Sequence, residues 1–308
     1  MLNKKTVLLA KVESAYGSDP TLAAADNSVM AYEPEVSLIS DMKERYPGSD
    51  DISRFSEVRG KTNFDIKVPF HLKGSGTAGT APRYAPLLQC CGLGEVVVSA
   101  TSVTYAPVSS SFKSACLEFS KDGLFYQALG VVGDLELDFT AGELPLATVM
   151  GKGLYLLPTD VAIEDPTFDT TVPQVCKGLT FTFGSYSAII EKLVIKMNNK
   201  IAERPDFNTT DGIKGYAVTE RNPEGSMIIE AVLRAESNAD FYSYFAAGTV
   251  KALSLVVGST AGNIATLTAS YCYLRPPALG NRDGVITFEI PIQLAKSSGN
   301  DEFSLVLT

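Results

Sequence analysis

The sequence predicts a mainly β protein. Apolar and polar residues alternate with period 2 along most of the chain, Gly, Pro, Asn and Asp punctuate the alternating runs, and only two short segments have helical spacing. FDIKVPFHLK (64–73) comes first among the alternating runs, followed by GDLELDF (133–139), KLVIKM (192–197), SMIIEAVLRA (226–235) and GVITFEIPI (284–292). Each places its apolar residues on one face, as a half-buried strand does. The helical segments are PRYAPLLQCCGL (82–93) and SNADFYSYFAAG (237–248). Both end at a glycine, and Ser237 or Asn238 is placed to cap the second.

Bulk properties narrow the class. A chain of 308 residues is long enough for about two ordinary domains. At 45% apolar and 20% charged it has globular composition. The start, MLNKKTVLLAKVES, has only Val7 to Ala10 before Lys11 interrupts, too short for a signal-peptide core. No run of about 18 apolar residues occurs, so no membrane span is expected. Five cysteines without Cys-x-x-Cys spacing read as reduced, buried side chains. The net charge of −9 argues against a non-specific DNA-binding surface, which needs clustered Lys and Arg. That charge is uneven: residues 1–170 hold 14 bases and 22 acids, residues 171–308 hold 12 and 13.

Element order repeats. The first half runs strand, long charged loop, strand pair, helix, EVVVSATSV, SACLEF and YQALGVVGDLELDF. The second runs EKLVIKM, the loop NNKIAERPDFNTTDG, strand pair, helix, KALSLVVG, ATLTASYCYL and PPALGNRDGVITFEI. Glu44-Arg45 lies near a proline in one loop and Glu203-Arg204-Pro205 in the other, while Ala128-Leu129-Gly130 matches Ala278-Leu279-Gly280. Similarity at this scale predicts duplication of a whole domain. The expected organisation is an N-terminal strand or arm (1–30) and two tandem β-sandwich or barrel domains (31–168 and 169–308), each with one short helix and one long charged loop.

Candidate chemistry is sparse. His71 is the only histidine, and the alternation around it puts it on the solvent face beside Lys67 and Lys73. GSGTAG (74–79) fits G-x-G-x-x-G, but no βαβ series follows, so a flexible hinge is expected rather than a nucleotide site. Cys90-Cys91 reads as small buried hydrophobes. Asp134, Glu136 and Asp138 line one face of a strand, a solvated face rather than a calcium loop. No cofactor and no enzymatic activity are expected.

The order of several segments resembles the tail tube proteins of long-tailed bacteriophages. The segments are KVESAYGSDPT (11–21), SEVRGKTNFDIKVPFHLKGSGTAG (56–79) with the following helix ending CCGLG, and DGLFYQALGVVGDLELDFTAGELP (122–145). Later come ERPDFNTTDGIKGYAVTERNPEGS (203–226), GNRDGVITFEI (280–290) and SGNDEFSLVLT (298–308). The resemblance implies a structural virion protein of the phage tail. Its β domains would pack into rings that stack as the conduit for DNA ejection, assembled in the bacterial host cytoplasm. Its implied partners are further copies of itself, tape-measure, tail-terminator and baseplate or tip proteins, with DNA passing through unbound. Two domains per chain imply a trimeric ring with pseudo-six-fold symmetry, a hexamer remaining open. An acidic lumen would repel phosphate, and Asp134, Glu136, Asp138 and Glu289 are the candidates. A β-sandwich accessory or receptor- or glycan-binding module is the alternative, disfavoured by the absence of tryptophan and kept open by 13 tyrosines.

The run DMKERYPGSDDISRFSEVR (41–59) holds five acids and four bases around Pro47-Gly48. A connection of that length is unusual unless it is functional or disordered. Its mixed charge suits another protein surface better than DNA. Glu44, Arg45, Tyr46, Pro47, Gly48, Asp50, Asp51 and Arg54 are the expected inter-ring contacts, with Glu203, Arg204, Pro205, Asp206 and Asn208 their second-half equivalents.

Overall fold

A computed structural model describes residue 2, residues 4–236 and residues 238–308. It is mainly β, with 50% of residues in strands and 5% in three short helices, consistent with a β-sandwich. In the first half the elements are β1 (Thr6–Val12), α1 (Ala24–Asn27), β2 (Ser28–Val29), β3 (Glu35–Lys43), β4 (Val58–His71), α2 (Ala85–Gln89), β5 (Leu93–Val98), β6 (Ser102–Pro107), β7 (Ala115–Lys121), β8 (Leu124–Thr140), β9 (Leu146–Leu154) and β10 (Thr159–Asp160). The second half adds β11 (Thr180–Phe183), β12 (Ile190–Lys196), β13 (Asn199–Pro205), β14 (Ile213–Arg221), β15 (Glu224–Glu230), α3 (Phe241–Ala246), β16 (Lys251–Val257), β17 (Ala265–Leu274), β18 (Ala278–Arg282), β19 (Val285–Leu294) and β20 (Ser304–Leu307).

β4 forms a strand because its alternation is strict. Phe64, Ile66, Val68, Phe70 and Leu72 are all buried, each contributing about 1.5–3 kcal/mol by burial. From β4 the ladders run to β3 on one side and, on the other, through β9, β8, β12 and β15 to β19. A second series runs β5, β6, β20, β17, β16 and β11. β17 touches β19 at Cys272–Leu274 and so joins the two. The N-terminal β1 is paired with β2 and β7, and β7 with the first part of β8. Core side chains of both series form one contiguous cluster, from Leu8 to Leu307. The ladders β8–β12 and β6–β20 connect the two halves of the chain directly.

Both halves place a helix between a long hairpin and a shorter one: α2 lies between β3–β4 and β5–β6, and α3 between the strands 190–230 and β16–β17. The helices are shorter than the spacing predicts. α2 has five residues with Pro86 in its first turn, and Gly92 at φ +83° ends the turn that follows it. α3 begins at Phe241, capped by the Asp240 side chain, which accepts from the Ser243 amide at 3.0 Å. The cap expected at Ser237 lies outside the described residues, and Asn238 takes a left-handed φ two positions before the cap. α1, a single turn, has too few residues to show a period.

Two local expectations are corrected. Lys73 is buried, because β4 stops at His71 and the chain at 169–171 lies over it. Its Nζ donates to the carbonyls of Thr171 at 2.7 Å and Asp169 at 3.1 Å. GSGTAG is a close-packed turn rather than a hinge. The Gly74 amide donates to Asn263 Oδ1 at 2.9 Å and the Gly76 amide to the Gly262 carbonyl at 2.9 Å. A Cβ at Gly74 would collide with the Gly262 carbonyl, so glycine is there for close approach of two backbones.

Candidate assembly surfaces

β3 and β4 continue past the core as a hairpin. Their last paired residues are Lys43 and Val58, so the unpaired part of the predicted loop is 44–57. Its base is tied by its own charges: Arg54 pairs with Glu44 at 2.8 Å and with Glu57, and Arg45 donates to the Ser56 carbonyl and hydroxyl at 3.0 and 2.9 Å. Pro47, Gly48, Asp50 and Asp51 stand exposed at the tip, and Tyr46 and Ile52 expose 80% and 107% of their surface. Tyr46 is among the expected contact residues, whereas Ile52 is not.

About half of NNKIAERPDFNTTDG is strand. β13 pairs with β14 in a separate two-stranded sheet, leaving only 206–212 as the tip. There Asp206 accepts from the backbone and side-chain amides of Asn208, both at 2.9 Å, and the backbone bond first of all lowers its pKa. Arg204 and Pro205 are exposed in β13, opposite Gly215 and Ile213.

The two hairpins lie side by side. Arg59 of β4 pairs with Asp211, Lys61 with Glu203, and the Thr62 amide donates to the Asp211 carbonyl at 3.3 Å. Tyr16 ties β14 to β8: its hydroxyl donates to the Gly130 carbonyl at 2.9 Å and accepts from the Tyr216 amide at 2.7 Å. Gly130 and Gly215 leave the room its ring needs. Burial foremost, partly offset by the Tyr216 hydrogen bond, pushes the Tyr16 phenol up.

On β8, Leu135, Leu137 and Phe139 enter the core and the three carboxylates occupy the other face. That face is not bare acid. β12 lies beside it, Lys196 pairs with Glu136 at 3.0 Å and Lys192 with Asp138 at 2.7 Å, while Asp134 accepts from the Asn199 amide at 2.9 Å. Burial, more than any neighbour, raises the Asp134 pKa. Glu289 is exposed on β19, opposite Ile228 and Ala278, on a different stretch of sheet.

Comparison with protein families matches residues 3–294 to the family described as phage tail tube protein. The chain belongs to that family. No curated protein matches it. As a phage tail tube protein it is a structural component of the tail, in a family defined by a structure rather than a reaction.

The rest of the described surface of this tail tube protein includes open edges and a cavity beside β11 and β12. Among the described residues β3 pairs only with β4, β5 only with β6, and β18 only with β19. Their exposed apolar residues include Leu38, Ile39 and Met42 on β3, Val96 to Val98 on β5, and Leu279 on β18. Unprotected edges of this kind are templates for pairing with another chain. The cavity, of about 570 Å³, opens between the turn after β8 and the lead-ins to β11 and β12, lined by Phe139, Leu179, Phe181, Ile190, Leu193 and Leu255.

Ligand chemistry finds little here. His71 packs against the Tyr32 ring at 4.2 Å, and its partial burial lowers its pKa. The five cysteines are free and buried. Asp19, Cys116 and Glu118 bring ligand atoms within 4.8 Å of one another. Burial pushes the Cys116 thiol up and the Glu118 carboxyl up to about 6.

No described helix is long and apolar enough to cross a membrane.

Proposed function

We propose that the chain polymerises as stacked rings into the tube through which phage DNA leaves the virion. The match over residues 3–294 to the tail tube family carries this proposal. The open, partly apolar edges of β3, β5 and β18 support it, since a monomer leaves them uncovered and a ring of copies covers them. Residues 31–168 and 169–308 are two tube-like units derived by duplication. Three chains complete a ring of six units, with six chains the other closed solution. Tape-measure, tail-terminator and baseplate or tip proteins meet it at the lumen and the ends, and assembly takes place in the host cytoplasm.

Loop 44–57 and the 203–212 tip make the contact between successive rings. Both are long, exposed and held at the same end of the molecule by Arg59–Asp211 and Lys61–Glu203. The β8 face of Asp134, Glu136 and Asp138 lines the lumen together with Lys192 and Lys196, and Glu289 adds charge from the second unit. A lining of paired charges holds no cation cluster to retain phosphate, so a polyanion passes without specific binding.

Negative-stain microscopy of the purified protein tests the proposal. Rings or hollow tubes are the expected result, and a stable population of dispersed monomers at high concentration overturns it. A density map of the tube tests the lumen: carboxylates of β8 on the outer wall rule that assignment out.

A further inference from the structure

The two ends of the central sheet are unlike. β4 has 14 residues, about 45 Å of strand. Val58, at its start, pairs with Lys43 at the root of loop 44–57. At its other end His71 pairs with Leu146, Leu146 with Asp138, and Thr140 with Lys192. The cavity begins immediately beyond, at Ala141, Gly142, Ile189 and Ile190. Loop and cavity therefore stand at opposite ends of one sheet.

Their chemistry is complementary. At the loop tip a fully exposed Ile52 follows Asp50 and Asp51, whose side chains accept from Ser49 and Ser53 within the loop. The cavity is apolar inside and carries an exposed Lys177 on its rim. We propose that this cavity receives Ile52 from the loop 44–57 of a second copy displaced along the strand direction, with Asp50 and Asp51 meeting Lys177. The proposal rests on loop 44–57 being the inter-ring contact and names the surface it meets. Such a contact is heterologous: the surface given and the surface received differ, so it repeats without closing, as stacking along an axis requires. The apolar side chain supplies the anchor and the flanking charges set register.

The test is a covalent one. Ile52→Cys and Ile189→Cys both fall on exposed positions, and the native cysteines are buried. Tubes assembled from the double variant and treated with a short bismaleimide are expected to give a ladder of covalent oligomers on a denaturing gel, absent from either single variant. Tubes of normal appearance without the ladder overturn the docking and leave the loop's stacking role standing. Normal tubes from a chain lacking Pro47 to Asp51 overturn both. A charge exchange reads the same contact without cysteines. Lys177→Asp is expected to lower tube yield about tenfold, and Asp50→Lys with Asp51→Lys to restore it. Failure of that rescue counts against the pairing.

Discussion

Arg59 on β4 and Asp211 at the tip of the β13–β14 hairpin form an ion pair across 152 positions of sequence. With Lys61–Glu203 it holds two hairpins from opposite halves of the chain in parallel. Both pairs are solvent-exposed, so they set position more than stability. Asp211→Ala is expected to lower unfolding free energy by less than about 1 kcal/mol while speeding hydrogen exchange at the Thr62 amide, which donates to the Asp211 carbonyl. An unchanged exchange rate at Thr62 shows that the hairpins stay together without the pair.

Deleting Pro47 to Asp51 shortens an exposed tip whose base is closed by Arg54 with Glu44 and Glu57. The shortened protein is expected to keep its circular dichroism spectrum and solubility and to form no tubes by electron microscopy. Loss of solubility instead assigns the tip a role in folding.

Gly74→Ala forces a Cβ into the Gly262 carbonyl. Overpacking of this kind costs about 1–3 kcal/mol, and the backbone nature of the obstacle puts Gly74→Ala at the upper end. Gly48→Ala, with nothing within 4 Å of the added carbon, is the control. Denaturant midpoints of the two variants should differ clearly, and equal midpoints show that the 74–76 turn yields.

Arg221 and Glu302 form the most buried bidentate pair, with 14% and 10% of their side chains exposed and bonds of 2.9 and 3.1 Å to Glu302 Oε1. Arg221 also donates to the Val108 carbonyl at 2.6 Å, tying β14 to the residue after β6. Arg221→Met strands a buried carboxylate and is expected to cost about 3–5 kcal/mol. The double variant with Glu302→Leu should recover most of that in equilibrium unfolding.

Glu118 gives a pH signature. Burial chiefly, then Asp19 and Glu164 against the opposing Gln127 hydrogen bond, raises its folded pKa from 4.5 to about 6. The folded state therefore holds the proton more tightly. Stability from this group is full below about pH 4.5 and is lost as pH rises through 6. Glu118→Gln is expected to remove that fall, seen as a flatter urea midpoint between these two values. A parallel pH profile for the two proteins shows that another group sets the slope.

Legibility in the sequence followed burial. Phe64 to Leu72 and Leu135 to Phe139 read as strands because each has one dry face. β13 did not, because it pairs only with β14 and its half-buried residues, among them Ile201 and Ala202, show no alternation. Its charge and turn residues marked it as a loop, and the end of β3 at 41–43 was likewise taken into the loop that follows. The lysines beside Glu136 and Asp138 could not be foreseen, since they depend on β8 and β12 being neighbours in a particular register. The cavity was equally hidden: its lining comes from four separate stretches that only the fold brings together. Lys73 was misplaced because alternation says nothing past the last strand residue.

β20 is made long after β6, and it inserts between β6 and β17, with Leu305 opposite Tyr105 and Leu267. β6 has by then waited for about 200 residues of synthesis, or about 10–40 s at bacterial rates of roughly 5–20 residues per second. Throughout that interval its edge is open, and Tyr105, buried in the finished fold, lacks one neighbour. The nascent chain thus has a built-in delay: the first half folds with one edge held open for a strand made long after it, and a chain cut before Ser304 would never close that ladder.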